Sequence, residues 1–124
     1  MFNYNKKVMQ IFKKPKHVGV IKNPDGYSKV GNLRCGDILE FFLKIKNNKI
    51  INAKYRTYGC IAAISASDAL CELVIGKTIE EASKVTDKDI INYLGNLPSF
   101  KYHCSVLGKE GLTKAIENYK KNKT

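Results

Sequence analysis

Arginine is nearly missing from this chain: only Arg34 and Arg56 stand among its 22 basic residues. Recognition of base edges leans on guanidinium forks, so this scarcity argues against a sequence-reading nucleic-acid module. The lysines that supply the rest are scattered from end to end, with no zinc-finger or RNP-like signature beside them. Acids are also few, 11 in all, which leaves a formal charge of +11. That excess reads as a solvated surface that steers the chain towards acidic protein partners. No run approaches the roughly 18 apolar residues that cross a bilayer, which excludes a membrane-spanning helix. The N-terminus has no apolar core of a secretory signal, so the expected location is cytoplasmic. It is basic, like an organelle transit peptide, but has no Arg and no Ser before Ser28. Four cysteines in such a chain are expected as reduced thiols rather than as a disulfide framework. Internal repeats, low-complexity tracts and dividing linkers are all missing, and 124 residues amount to one domain, 1–124.

What is present divides into a strand half and a helix half. Val8, Ile11 and Phe12 recur at helical spacing over Tyr4–Lys14, and Pro15 ends that run. Val18–Leu33 is rich in Gly, Asn, Pro and Asp and predicts turns with a short strand near Tyr27–Val30. Asp37–Lys46 alternates, with Leu39, Phe41, Leu43 and Ile45 on one face. After an Asn47-Asn48 turn, Ile50–Tyr58 alternates too, with Ile51, Ala53, Tyr55 and Thr57 on one face, so the two segments predict an antiparallel hairpin. Cys60–Ile75 is Ala-rich and reads as a buried helix closed by Gly76. Thr78 with Glu81 is a capping-box pattern, Thr86–Leu94 predicts another helix, and a last one runs over Cys104–Lys121, weakened by Gly108 and Gly111. The expected class is α+β: a small antiparallel sheet of about three strands packed against helices, with helices at both termini.

Three cysteines sit at junctions between these elements. Cys35-Gly36-Asp37 precedes the first long strand, Tyr58-Gly59-Cys60 joins the second strand to the long helix, and His103-Cys104-Ser105 opens the last helix. Junctions of one layer tend to meet at one end of a domain. A cysteine at a helix N-terminus also feels the positive end of the macrodipole, a setting that favours thiolate. Asp37 and His103 add an oxygen and an imidazole donor beside the sulfurs. Three Cys with His or Asp make a donor set for zinc or for part of a 2Fe–2S cluster. Cys71 is separate: eleven residues along the same helix from Cys60, it lies about 16 Å away at ~1.5 Å per residue, and reads as a small core residue. A structural zinc-binding domain is the alternative reading of the same donors, and would unfold on chelation.

At these residues the chain resembles the IscU/NifU-type iron–sulfur cluster assembly scaffolds. The resemblance is carried by Cys35-Gly36-Asp37, Thr57-Tyr58-Gly59-Cys60 and His103-Cys104-Ser105 with Leu107. It extends to Tyr4, Val8, Pro15, Val18-Gly19, the stretch Asn23–Gly31, Gly76-Lys77-Thr78 with Glu80-Glu81-Ala82, and Leu97-Pro98 with Lys101. It thus covers nearly the whole chain, places the basic N-terminal segment inside the domain, and looks more NifU-like than IscU-like around Asn23–Gly31. The resemblance implies a scaffold or carrier rather than a turnover enzyme. It further implies that a pyridoxal-phosphate cysteine desulfurase delivers persulfide sulfur to Cys104, that iron arrives from a donor, and that a transient 2Fe–2S cluster forms on Cys35, Cys60 and Cys104. By the same resemblance Asp37 or His103 would supply the fourth ligand, and acceptor apoproteins would take the finished cluster. Zinc at the same site, in a zinc-bound sulfur acceptor, is also implied. The family's Leu-Pro-Pro-Val-Lys segment, read by an Hsp70-type chaperone, stands here as Leu97-Pro98-Ser99-Phe100-Lys101. Leu33 replaces a frequent Pro before the first cysteine, and Gly108 replaces a usual Ala. The interval between Cys60 and Cys104 has no room for the insertion of the zinc-dependent SufU relatives. Neither nucleic acid nor membrane is expected as a partner.

Overall fold

Asn47 and Asn48 both take positive φ, 53° and 65°, the backbone of a tight hairpin turn that Asn tolerates better than most residues. They join β2 (Asp37–Lys46) to β3 (Lys49–Tyr58), and β1 (Gly26–Asn32) pairs with the far side of β2. The result is a three-stranded antiparallel sheet in the order β1-β2-β3. Among the described residues, five helices accompany it: α1 (Lys6–Lys13) before the sheet, then α2 (Ile61–Val74), α3 (Ile79–Ser83), α4 (Asp87–Leu94) and α5 (Tyr102–Asn122). The class is therefore α+β. The computed structural model describes residues 5–32, 37–95 and 102–122, the side chains of Asn32, Asp37 and His103 excepted. Among the described residues no helix is long and apolar enough to cross a membrane.

The alternation expected for β2 holds: Leu39, Phe41 and Leu43 are buried on the face that meets the helices. In β3 the expected face is wrong by one residue at its start. Lys44 pairs with Asn52 but Ile45 pairs with Ile50, so Ile51 is an extra residue and the strand carries a bulge. Because strand side chains alternate, that insertion turns Ile50 inward (0% exposed) and leaves Ile51 outside (50% exposed). Ala53 and Tyr55 stay inward as expected, and Thr57 is half-buried, its hydroxyl donating to the Ile38 carbonyl at 2.6 Å. The β1 strand runs longer than the Tyr27–Val30 expected from its turn-rich composition, because seven backbone positions pair with β2.

The edge of β3 away from β2 is bonded to other backbone at two points. Tyr55 exchanges backbone hydrogen bonds with the 17–19 segment (Tyr55 N to His17 O, 3.1 Å; Gly19 N to Tyr55 O, 2.8 Å). Farther along, Ile50 does the same with Lys77 O and Gly76 N at 2.9 and 2.7 Å.

Helix α2 is buried on most of its circumference, with Ala62, Ala63, Ala66, Ala69 and Leu70 in one cluster with the sheet and the other helices. Its small side chains let β3, α1, α4 and α5 approach on different sides, and Gly76 at φ 91° turns the chain after it. Asn5 caps α1 by accepting from Val8 N (2.8 Å) and donates to Leu94 O (2.9 Å), tying the first helix to the end of α4. Both α3 and α4 open on complete capping boxes, Thr78 with Glu81 and Thr86 with Asp89. Gly111 of α5 has a packing role that its helix propensity hides. A Cβ on Gly111 would lie 3.0 Å from Leu39 Cδ2, and the Ser28 hydroxyl donates to the Gly111 carbonyl at 2.7 Å. From the sheet side, a Cβ on Gly26 would lie 2.6 Å from the Ala115 carbonyl oxygen. Thus α5 lies against β1 at backbone contact, and it begins at Tyr102, two residues earlier than expected.

Candidate metal centre

Cys60 and Cys104 meet. Cys60 is the N-cap of α2, in extended backbone (φ −85°, ψ −179°), and its side chain makes no capping hydrogen bond. Cys104 lies in the first turn of α5. Their sulfurs stand 4.0 Å apart, too far for a disulfide bond of about 2.05 Å and close enough to bind one ion. Two thiolates bound about 2.3 Å from one tetrahedral metal stand about 3.8 Å apart, so the pair matches two corners of such a site. Cys60 is half-buried and Cys104 is buried at 2% exposure. Both sulfurs stand at helix starts, where the positive dipole ends favour negative charge.

The remaining candidates are placed less fully. Asp37 opens β2 opposite Asn32, and the next residue, Ile38, pairs with Tyr58, two positions before Cys60. The backbone of Asp37 therefore lies at the Cys60 end of the sheet, while its side chain is outside the described set. His103 is in α5 immediately before Cys104, its side chain likewise outside that set. Cys35 and the Leu97–Lys101 segment fall outside the described residues altogether. Among the described residues, no group of three or more His, Cys, Asp or Glu side chains is placed to hold a metal, so the thiol pair is what they contribute.

Cys71 is distant in character as well as in sequence. It is 0% exposed in the hydrophobic cluster, and burial pushes its thiol well above the ordinary value, with Asp68 and Glu72 adding to the shift. Nearby, burial and the Asp68 carboxylate push the Tyr55 phenol up, so it stays neutral.

Two features around the thiol end are not evident from the cysteine motifs. Ile38 and Tyr58, opposite one another, are 38% and 68% exposed on the sheet face away from the helices. Tyr102 and Val106, two residues either side of Cys104, are 38% and 51% exposed. The signal in the sequence is phase: Ile38 and Tyr58 fall between the inward residues of their strands. Behind Ile38 on the same face, Glu40 accepts from the Tyr27 hydroxyl (2.6 Å) and from Arg56 Nε (2.8 Å). The Tyr27 hydrogen bond, then that of Arg56, holds the Glu40 carboxyl below its usual range.

An α+β domain that brings thiols from two helix starts together defines a small thiolate-site protein. The family of which it is a member is given by its sequence: residues 3–124 match the NifU-like N terminal domain, and the chain belongs to that family. It is 42% identical over 128 residues to the nitrogen fixation protein NifU of Trichormus azollae, covering 97% of this chain and 43% of that protein. It is 44% identical over 116 residues to an iron–sulfur cluster assembly scaffold protein IscU of Archaeoglobus fulgidus, covering 94% of this chain and 76% of that one. The chain thus spans less than half the length of the NifU relatives that it matches. The fold is shared with a crystal structure from Fervidobacterium islandicum AW-1 assigned as a SUF-system iron–sulfur scaffold: TM-score 0.78, 24% identity, 91% of this chain and 96% of that one. A NifU-like N-terminal structure from Brucella abortus gives a TM-score of 0.79 at 15% identity, covering 94% of each chain.

Proposed function

We propose that this chain is a scaffold on which iron–sulfur clusters are assembled and from which they pass to acceptor proteins. The observation that carries the reading is the Cys60–Cys104 pair, 4.0 Å apart at two helix starts, in a chain of this family. The cargo is a 2Fe–2S cluster held by Cys35, Cys60 and Cys104, with Asp37 or His103 as the fourth ligand. A non-cysteine ligand holds iron less firmly than a thiolate, which suits a cluster meant to leave. The sulfur enters as a persulfide on Cys104, supplied by a cysteine desulfurase, and iron comes from a separate donor. The chain is thus a carrier with no turnover chemistry of its own. The exposed Ile38, Tyr58, Tyr102 and Val106 give the partners apolar surface beside the thiols, and the lysine-rich exterior favours acidic faces. Leu97–Lys101 is the segment offered to an Hsp70-type chaperone.

Anaerobic reconstitution with ferrous iron, cysteine and a desulfurase tests this. The wild-type chain is expected to gain a visible charge-transfer chromophore; Cys35→Ser, Cys60→Ser and Cys104→Ser are expected to lose it, and Cys71→Ala to keep it. A protein that stays colourless, or one whose colour survives Cys104→Ser, sinks the proposal.

A further inference from the structure

The 4.0 Å thiol pair has a use before any iron arrives. Sulfur delivered as a persulfide is too oxidised to serve as the bridging sulfide of a cluster and must first gain electrons. Cys60 stands closer to the Cys104 sulfur than any dissolved thiol is on average. Reacting groups held in such geometry reach effective concentrations on the order of 10⁵ M, against the millimolar range for a free thiol. Cys60 is also free to turn: its side chain caps nothing, its backbone is extended, and it is half-buried rather than enclosed. Closing the gap from 4.0 Å to a bond of about 2.05 Å takes about 2 Å of sulfur movement, within the range of a χ1 adjustment at the mouth of a helix.

We propose that Cys60 is the internal reductant that releases sulfide from a Cys104 persulfide. The inference rests on the reading of Cys104 as sulfur acceptor given above. The Cys60 thiolate, its proton given to solvent, attacks Cys104 Sγ. A Cys60–Cys104 disulfide bond forms as the bond from Cys104 Sγ to the terminal sulfur breaks. The terminal sulfur leaves with that electron pair as hydrosulfide, keeping the persulfide proton. The Cys60 sulfur is oxidised by one electron and the terminal sulfur reduced by one, so no outside oxidant or reductant enters the step. A dithiol reductant then reopens the disulfide by exchange, returning both thiols for metal binding. The two thiols thus act in sequence, first as a redox pair and then as ligands.

The test uses the apo chain of residues 1–124, loaded with sodium polysulfide and desalted, with neither iron nor desulfurase present. Expected are release of one hydrosulfide per chain without added thiol, and a Cys60–Cys104 cross-link in the non-reduced peptide map. Cys60→Ala is expected to retain the additional sulfur on Cys104 and to release hydrosulfide at least ~100-fold more slowly. Cys71→Ala is expected to behave as wild type. Circular dichroism of Cys60→Ala checks that α2 is intact, and Cys60→Ser, which supplies an N-cap oxygen, serves where the alanine variant does not fold. The proposal is overturned by equal release from wild type and the Cys60 variants, or by migration of the sulfane sulfur to Cys60 without a disulfide. It is equally overturned by a cross-link to Cys35 instead, or by no sulfur added at Cys104 in any variant. A chain that releases sulfide this way but stays colourless on reconstitution fails as a scaffold and not as a reductant.

Discussion

Cys71 and Cys60 belong to the same helix, and their surroundings assign them opposite chemistry. Fully buried beside Asp68 and Glu72, the Cys71 thiol is held protonated. In a pulse of iodoacetamide on the native chain, Cys60 is expected to alkylate and Cys71 to remain intact until the chain is unfolded, as read by peptide mass. Cys71→Ala is expected to cost about 1 kcal/mol of stability by removing core contacts. Glu40 is a different case. Its carboxyl lies below the ordinary value of 4.5, chiefly through the Tyr27 hydroxyl bond and then through Arg56. A carboxyl lowered on folding contributes stability that is present above its unfolded value and lost as pH falls through its folded value. Urea midpoints should therefore drop as pH falls below about 4.5, with Glu40→Gln starting lower and falling less steeply. At this scale the sequence was informative wherever a residue carried its own chemistry. Gly59-Cys60 and Cys104 stand out as thiols at element boundaries, and the long interval from Cys60 separates Cys71. Glu40 with Tyr27 and Arg56 did not stand out, because three residues on three strands become neighbours only through the sheet register.

Among the elements, the turn and caps were legible and the bulge was not. Asn47-Asn48 and Thr78 with Glu81 act through neighbours in sequence, so their residue types announce them. The bulge at Ile51 arises from pairing with β2, and a strand read alone keeps perfect alternation. Glycine was misleading for a related reason. Gly108 and Gly111 lower helix propensity, but Gly111 sits where the sheet leaves little room for a Cβ, which propensity does not register. Two glycine substitutions separate these effects. Gly26→Ala would push a Cβ to 2.6 Å from the Ala115 carbonyl oxygen and is expected to destabilise by about 1–3 kcal/mol. Gly108→Ala meets Leu70 and Ile90 at 3.6 and 3.7 Å, ordinary contact, and is expected to stabilise α5 by up to about 1 kcal/mol. Urea unfolding of the two variants checks both signs.

For the whole molecule, one cluster of buried apolar residues joins the sheet to the five described helices, and it is built of aliphatic and aromatic side chains for most of its extent. A core of that extent supplies folding energy of its own. Exhaustive chelation is therefore expected to leave the far-UV circular dichroism unchanged and to lower the melting temperature by only a few degrees; collapse of the helical signal would instead mark a structural zinc domain. The α+β class was readable because the change from strand period to helix period at Gly59 divides the chain in two. What the sequence left open was how the junctions come together, since that depends on how α2 and α5 cross the sheet.

The bonds from 17–19 to Tyr55, and from Gly76 and Lys77 to Ile50, have a bearing beyond the fold itself. A bare sheet margin templates the next strand, from a neighbour or from an unfolding copy, and so seeds fibrils and swapped dimers. Here the stretch leading into the sheet blocks one such growing end. Gly19→Pro, which removes the N–H bonded to Tyr55 O and cannot take the φ of 144° found there, should open it with α1 left in place, and the variant is expected to scatter light at concentrations where the parent chain stays clear.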